Sequence, residues 1–144
     1  MARVEFTARK QLRLPAQTVY DALVNWRGHA DWVPMTRVRI EEGDGGVGTV
    51  FIATTGLGPA ALPDRMRVEA LDAEAMAADL VKIGPVLRGD VRIAVLPLSN
   101  TTCEVQWHED ITVPVLPNFA APLVAAATQK AFEKSLDRLA KRLR

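Results

Sequence analysis

TTCEVQWHEDITVPVLPNFAAPLVAAATQKAFEKSLDRLAKRLR, residues 101–144, changes its periodicity once, and that change sets the fold class. As far as Pro114 it alternates: Cys103, Val105, Trp107, Glu109 and Ile111 fall on one face, Glu104, Gln106, His108, Asp110 and Thr112 on the other. A repeat of two is that of a strand with one buried side. Beyond Pro114 and Pro117 there is no glycine, and Leu123, Phe132, Leu136, Leu139 and Leu143 mark one helical stripe. Lys130, Lys134, Arg138, Lys141 and Arg142 gather toward its C-terminal end, where positive charge complements the helix dipole. A helix of ~26 residues would run ~39 Å at 1.5 Å per residue, enough to cross a small domain.

Working back toward the N-terminus, MTRVRIEE, GTVFIATTG, DRMRVEALD, MAADLVKIG and RGDVRIAVLP each read as a strand bounded by Gly, Pro, Asp or Asn. No gap between them holds a crossover helix, so neighbours pair as hairpins and the sheet is antiparallel. Residues 3–12 alternate Val4, Phe6, Ala8 and Leu12 with polar residues and form a further strand, although Lys10 interrupts the apolar set. Between this strand and the others, Pro15 begins a helix over residues 15–25, with Ala16, Val19, Tyr20 and Leu23 at helical spacing. WRGHADWVP then gives a short second helix or turn, which ends before Pro34. The order predicts an α+β domain over residues 1–144: a curved antiparallel sheet of about seven strands, two short helices after strand 1, and a long C-terminal helix that must bury its stripe on the sheet.

Composition narrows the function. At 144 residues the chain suits one core, and 49% hydrophobic with 24% charged residues is ordinary globular usage. A formal charge of +1 lacks the positive bias that nucleic-acid binding exploits, so no nucleic-acid partner is expected. The single cysteine cannot form an internal disulfide, and the opening MARVEFTARK has no apolar core of a signal peptide; both point to a cytoplasmic protein. No apolar run approaches the ~20 residues of a membrane span.

Three stretches resemble a known family. LPAQTVYDALVNWRGHADWVPM resembles the opening of the polyketide cyclase/dehydrase and START-related lipid-transport superfamily, EEGDGGVGTVF resembles its glycine-rich hairpin, and LPLSNTTCEVQW resembles the segment before its last strand. The resemblance covers essentially the whole chain. It implies the helix-grip fold, with a deep cavity between the concave sheet and the long helix. Independently, the small side chains of AAPLVAAAT, residues 120–128, either leave space beneath the first helical turns or permit close packing there.

Other chemistries find little support. GDGGVG, residues 43–48, has the spacing of a dinucleotide fingerprint, but the strand-like TVFIATT follows it where a helix N-terminus is needed, so it reads as a hairpin turn. His29, His108 and Cys103 are scattered, which argues against a metal site or a Cys–His nucleophile, and no cofactor is expected. Glu109, placed among apolar neighbours, is a candidate acid, base or hydroxyl partner.

For DRMRVEALD two registers are open. One turns Met66, Val68 and Ala70 inward, the other Arg65, Arg67, Glu69 and Leu71. Aromatase/cyclases of the resembled superfamily place an arginine and a hydroxyl residue on this strand; here it reads Arg65, Met66, Arg67, Val68, Glu69, with no Ser, Thr or Tyr.

The expected function is binding of a small, largely apolar molecule (lipid, isoprenoid or polyketide-like) in a cavity lined by Trp32, Ile52, Val81, Ile83, Ile93, Trp107, Glu109, Phe119 and Leu123. One alternative is a cyclase/dehydrase that uses Arg67 and Glu109 as catalytic residues in the same cavity; another is a protein-interaction module of the same fold. Monomer and homodimer both fit.

Overall fold

The computed structural model describes residues 2–144. Seven strands, β1 (Ala2–Leu12), β2 (Thr36–Glu42), β3 (Val50–Thr55), β4 (Leu62–Asp72), β5 (Ala77–Ile83), β6 (Arg88–Pro97) and β7 (Cys103–Val113), form one sheet in the order β1-β7-β6-β5-β4-β3-β2. Every neighbouring pair is antiparallel. From β2 to β7 the chain is a meander, while β1 closes against β7, so that β1 and β2 lie at opposite edges. Helices α1 (Ala16–Leu23) and α2 (His29–Trp32) carry the chain between those edges, and α3 (Ala121–Leu143) lies along the concave side, chiefly against β1.

Local sequence explains the elements. Helix α1 starts after Pro15, whose fixed φ suits a helix entry, and it buries Ala16, Val19, Tyr20 and Leu23 on one face. Tyr20 donates its hydroxyl to the Ala77 carbonyl at 3.0 Å, which ties α1 to the start of β5. Helix α2 ends at Val33, held extended before Pro34. In β1, Val4, Phe6, Ala8 and Leu12 are buried, and Lys10 escapes the apolar set by reaching Asp137 of α3 at 3.1 Å.

In β4 the pairing with β5 shifts between Val68 and Ala70. Met66 and Val68 point inward ahead of this bulge, and Leu71, opposite Ala78, packs against the core beyond it. Each register considered for this strand therefore holds over part of it, because one extra residue exchanges the faces.

The long helix departs from expectation at its N-terminal end. Residues Asn118–Ala120 form a 3₁₀ turn and the α-helix follows from Ala121. Leu123 is 74% exposed. It lies nine residues before Phe132, and at 3.6 residues per turn that is roughly half a turn around the axis. The inward face instead runs Ala121, Val124, Ala125, Phe132, Leu136, Leu139 and Ala140.

Candidate functional site

Between the concave sheet and helices α2 and α3 lies a cavity of about 120 Å³. Val33, Ala53, Leu62, Met66, Trp107 and Phe132 give it an apolar wall, and His29, Thr36 and Thr55 add polar groups. Asp64, Lys82 and Glu109 complete it from three different strands. Phe132 of α3 covers Trp107 with ring centroids 4.8 Å apart, and His29 approaches Trp107 at 5.9 Å. A larger depression of about 610 Å³ beside the Gly43–Gly45 turn is more open to the surface, and its charged groups, Asp21, Arg27 and Asp44, are exposed.

The charged wall follows from alternation. Asp64 shares the inward face of Met66 on β4, Lys82 that of Leu80 and Ala78 on β5, and Glu109 that of Trp107 and Ile111 on β7. The Lys82 ammonium donates to Asp64 Oδ2 at 2.5 Å and lies 3.1 Å from Glu109 Oε1. Trp107 Nε1 donates to Glu109 Oε2 at 2.8 Å. Lys82 is 5% exposed and Glu109 only 2%. Burial works against the charged ammonium, but the neighbouring Glu109 and Asp64 carboxylates outweigh it and hold the Lys82 pKa above its ordinary value. Burial pushes the Asp64 pKa up, with Lys82 opposing it. Asp64 Oδ1 is buried with no hydrogen-bond partner, as is Trp32 Nε1.

His29 donates Nε2–H to the Leu23 carbonyl at 2.6 Å. Full burial lowers its pKa to about 4, so the ring is neutral at pH 7 and Nδ1 is left as an acceptor. The site thus joins an ammonium, two carboxyl groups and a neutral imidazole around a space walled largely by aromatic and aliphatic groups. Such a site can fix the polar end of an apolar molecule or hold a proton near it.

Of the residues predicted to line a cavity, Trp107 and Glu109 do so. Trp32 is buried behind them, 6.5 Å from the Trp107 ring, and Ile93 lies in the core opposite Trp107 on β6. Ile52 is on the outer face, flanked in register by Arg39 and Arg65, and Val81 and Ile83 share the outer face of β5 with Asp79. Phe119 is 84% exposed, and Leu123 points away from the sheet. Arg67 is also outside, where it donates to Glu69 at 2.6 and 2.8 Å, so it does not meet Glu109. The physical reason is common to the strands: Lys82 and Asp64 occupy the inner parity, which sends Val81, Ile83 and Arg67 out.

Periodicity alone misses Lys82 and Asp64, because a charge in an alternating strand is read as its wet face. A usable signal was present. Met66 and Asp64 share one parity, Leu80 and Lys82 another, and Glu109 already stood among apolar neighbours; three inward charges of mixed sign can neutralise one another.

A family model described as polyketide cyclase / dehydrase and lipid transport matches residues 3–144. Among solved structures, the Zhui aromatase/cyclase from Streptomyces sp. R1128 superposes with a TM-score of 0.80 at 14% identity, covering 98% of this chain and 93% of that one. A START superfamily protein from Mycobacterium smegmatis gives 0.79 at 13% identity, covering 96% of each chain. A protein from Thermus thermophilus, TTHA0849, gives 0.77 at 17% identity, again covering 96% of each. At these identities the likeness is one of fold. No curated protein matches the sequence.

Proposed function

Because the chain belongs to the polyketide cyclase/dehydrase and lipid transport family, we propose that it binds a small, largely apolar molecule in the cavity between the sheet and α3. The observation that carries this reading is the pairing of an apolar, aromatic wall with the buried Asp64–Lys82–Glu109 cluster in one space. Binding sites of this kind combine mostly apolar lining with a few converging polar groups that fix orientation.

The volume limits what fits. An apolar protein cavity of about 150 Å³ holds benzene, so about 120 Å³ matches a single ring or one end of a longer molecule. A whole lipid, isoprenoid chain or folded polyketide would need α3 to move away from the sheet.

The cyclase/dehydrase alternative loses its expected pair, since Arg67 lies on the other face. Catalysis in this space would rest on proton transfer among Asp64, Lys82 and Glu109.

Native mass spectrometry of the purified chain, followed by denaturing extraction, tests the binding reading. A stoichiometric small molecule released on denaturation supports it. An empty protein whose melting temperature is unmoved by single-ring and short-chain apolar compounds overturns it.

A further inference from the structure

We infer that the ligand presents a hydroxyl group to Asp64 and Lys82, which makes the preferred ligand class a small aromatic or aliphatic alcohol. This rests on the cavity reading above and names the chemistry of the ligand's polar end.

Donors and acceptors around the cluster do not all find partners. Of the four carboxylate oxygens, Asp64 Oδ2 and Glu109 Oε1 face the Lys82 ammonium, and Glu109 Oε2 accepts from Trp107. Asp64 Oδ1 has no partner. The ammonium carries three N–H donors, and among the described residues two are directed at Asp64 and Glu109. One acceptor, Asp64 Oδ1, and one donor of Lys82 therefore remain unpaired among the described residues, and both residues line the cavity. The terminal torsion of an aspartate is broad, so either carboxyl oxygen can be turned toward an occupant.

A hydroxyl is complementary to this pair, because it donates to the carboxylate and accepts from the ammonium through one atom. It also tolerates either charge state of Asp64, accepting from the carboxylic acid as readily as it donates to the carboxylate. A carboxylate ligand would add a third negative group beside Asp64 and Glu109, and an ammonium ligand would stand against Lys82 with nothing to accept its free N–H. His29 supports the same choice. Its neutral ring, with Nε2–H committed to Leu23, contributes an acceptor and no positive charge to draw an anion.

Four single-ring probes separate these possibilities: phenol, benzene, benzoate and benzylamine. Each is titrated into the full chain while the indole N–H signal of Trp107, which is hydrogen-bonded to Glu109, is followed by NMR. Phenol is expected to bind at least tenfold more tightly than benzene and to exceed both charged probes. In Asp64→Ala the preference for phenol over benzene should fall to within about twofold while benzene binding persists; if that variant does not fold, the wild-type ranking decides alone. Equal binding of phenol and benzene, or tightest binding of benzoate or benzylamine, overturns the hydroxyl inference and leaves the cavity reading standing. Failure of all four to bind removes both.

Discussion

Lys82 is an ammonium on the concave face of a sheet, and it is tolerated there because two carboxylates come to it from β4 and β7. Removing one member of a buried ionic cluster leaves the rest uncompensated, which typically costs about 3–5 kcal/mol. Lys82→Met should therefore be strongly destabilised in urea denaturation at pH 8. Its deficit should shrink at pH 5. Burial already raises the Asp64 pKa, and losing Lys82 raises it further; a carboxyl with a folded-state pKa above its unfolded value favours folding at low pH, and that advantage is lost as pH rises through the folded value. A deficit that is the same at both pH values would contradict this. Replacing the whole cluster by Asp64→Leu, Lys82→Met and Glu109→Gln should leave the protein more stable than the single variant, since apolar side chains of similar volume often match a buried ionic group. His29 has the opposite sign. Its folded pKa of about 4 lies below the ordinary 6.5, so its contribution is present above pH 6.5 and disappears as pH falls toward 4. Full burial makes that worth roughly 3 kcal/mol. The difference in unfolding free energy between wild type and His29→Phe, measured from pH 7 to 4, should change by that order, and a flat difference would show the imidazole free to protonate in the fold.

Among the elements, β6 depends on Gly89. This residue adopts φ +143°, and a Cβ built on it falls 2.2 Å from the Asp110 carbonyl oxygen of β7. Gly89 also stands opposite Lys82 in the pairing of β5 with β6, so no side chain intervenes beside the ammonium. Gly89→Ala must push β7 away from β6 and should cost roughly 2–4 kcal/mol, read as a lowered urea midpoint. An unchanged midpoint would mean that the two strands separate easily. The elements themselves were legible, because Val4, Phe6 and Ala8 or Val91, Ile93 and Val95 alternate cleanly and prolines mark the ends of α2 and β7. Facing was legible where one parity is apolar at nearly every position, as in β7, where Glu109 alone departs from it. It was not in β4 and β5. There Asp64 and Lys82 put charge on the inner face, and the bulge beyond Val68 exchanges parity partway along the strand. A charge that is satisfied by residues one and two strands away in the sheet cannot be read from its own strand.

On the scale of the whole molecule, the size of the cavity is set by how closely α3 seats on the sheet. The small residues at the start of α3 signal that a large side chain is not needed there, and Val124 and Ala125 do pack against the core. They do not disclose how far the aromatic groups of other elements extend. Trp32, Trp107 and Phe132 converge from α2, β7 and α3, and Trp107 and Phe132 bound the space of about 120 Å³ beneath the helix, with Trp32 packed against Trp107. Phe132 is the member of this group that belongs to the long helix, from which it covers both Phe6 and Trp107. Phe132→Ala should enlarge the cavity without disturbing the Asp64–Lys82–Glu109 cluster. Large-to-small changes at aromatic core positions cost about 3–5 kcal/mol when fully buried, and Phe132 is only partly buried, so the lower end of that range is expected in thermal denaturation. The variant should bind naphthalene, whereas the wild type should take benzene and reject the larger ring system; calorimetric titration of each protein with both compounds checks this. If the variant loses stability but gains no affinity for naphthalene, α3 has settled into the vacated volume. The seat of the helix, rather than the single ring of Phe132, would then determine what the cavity admits.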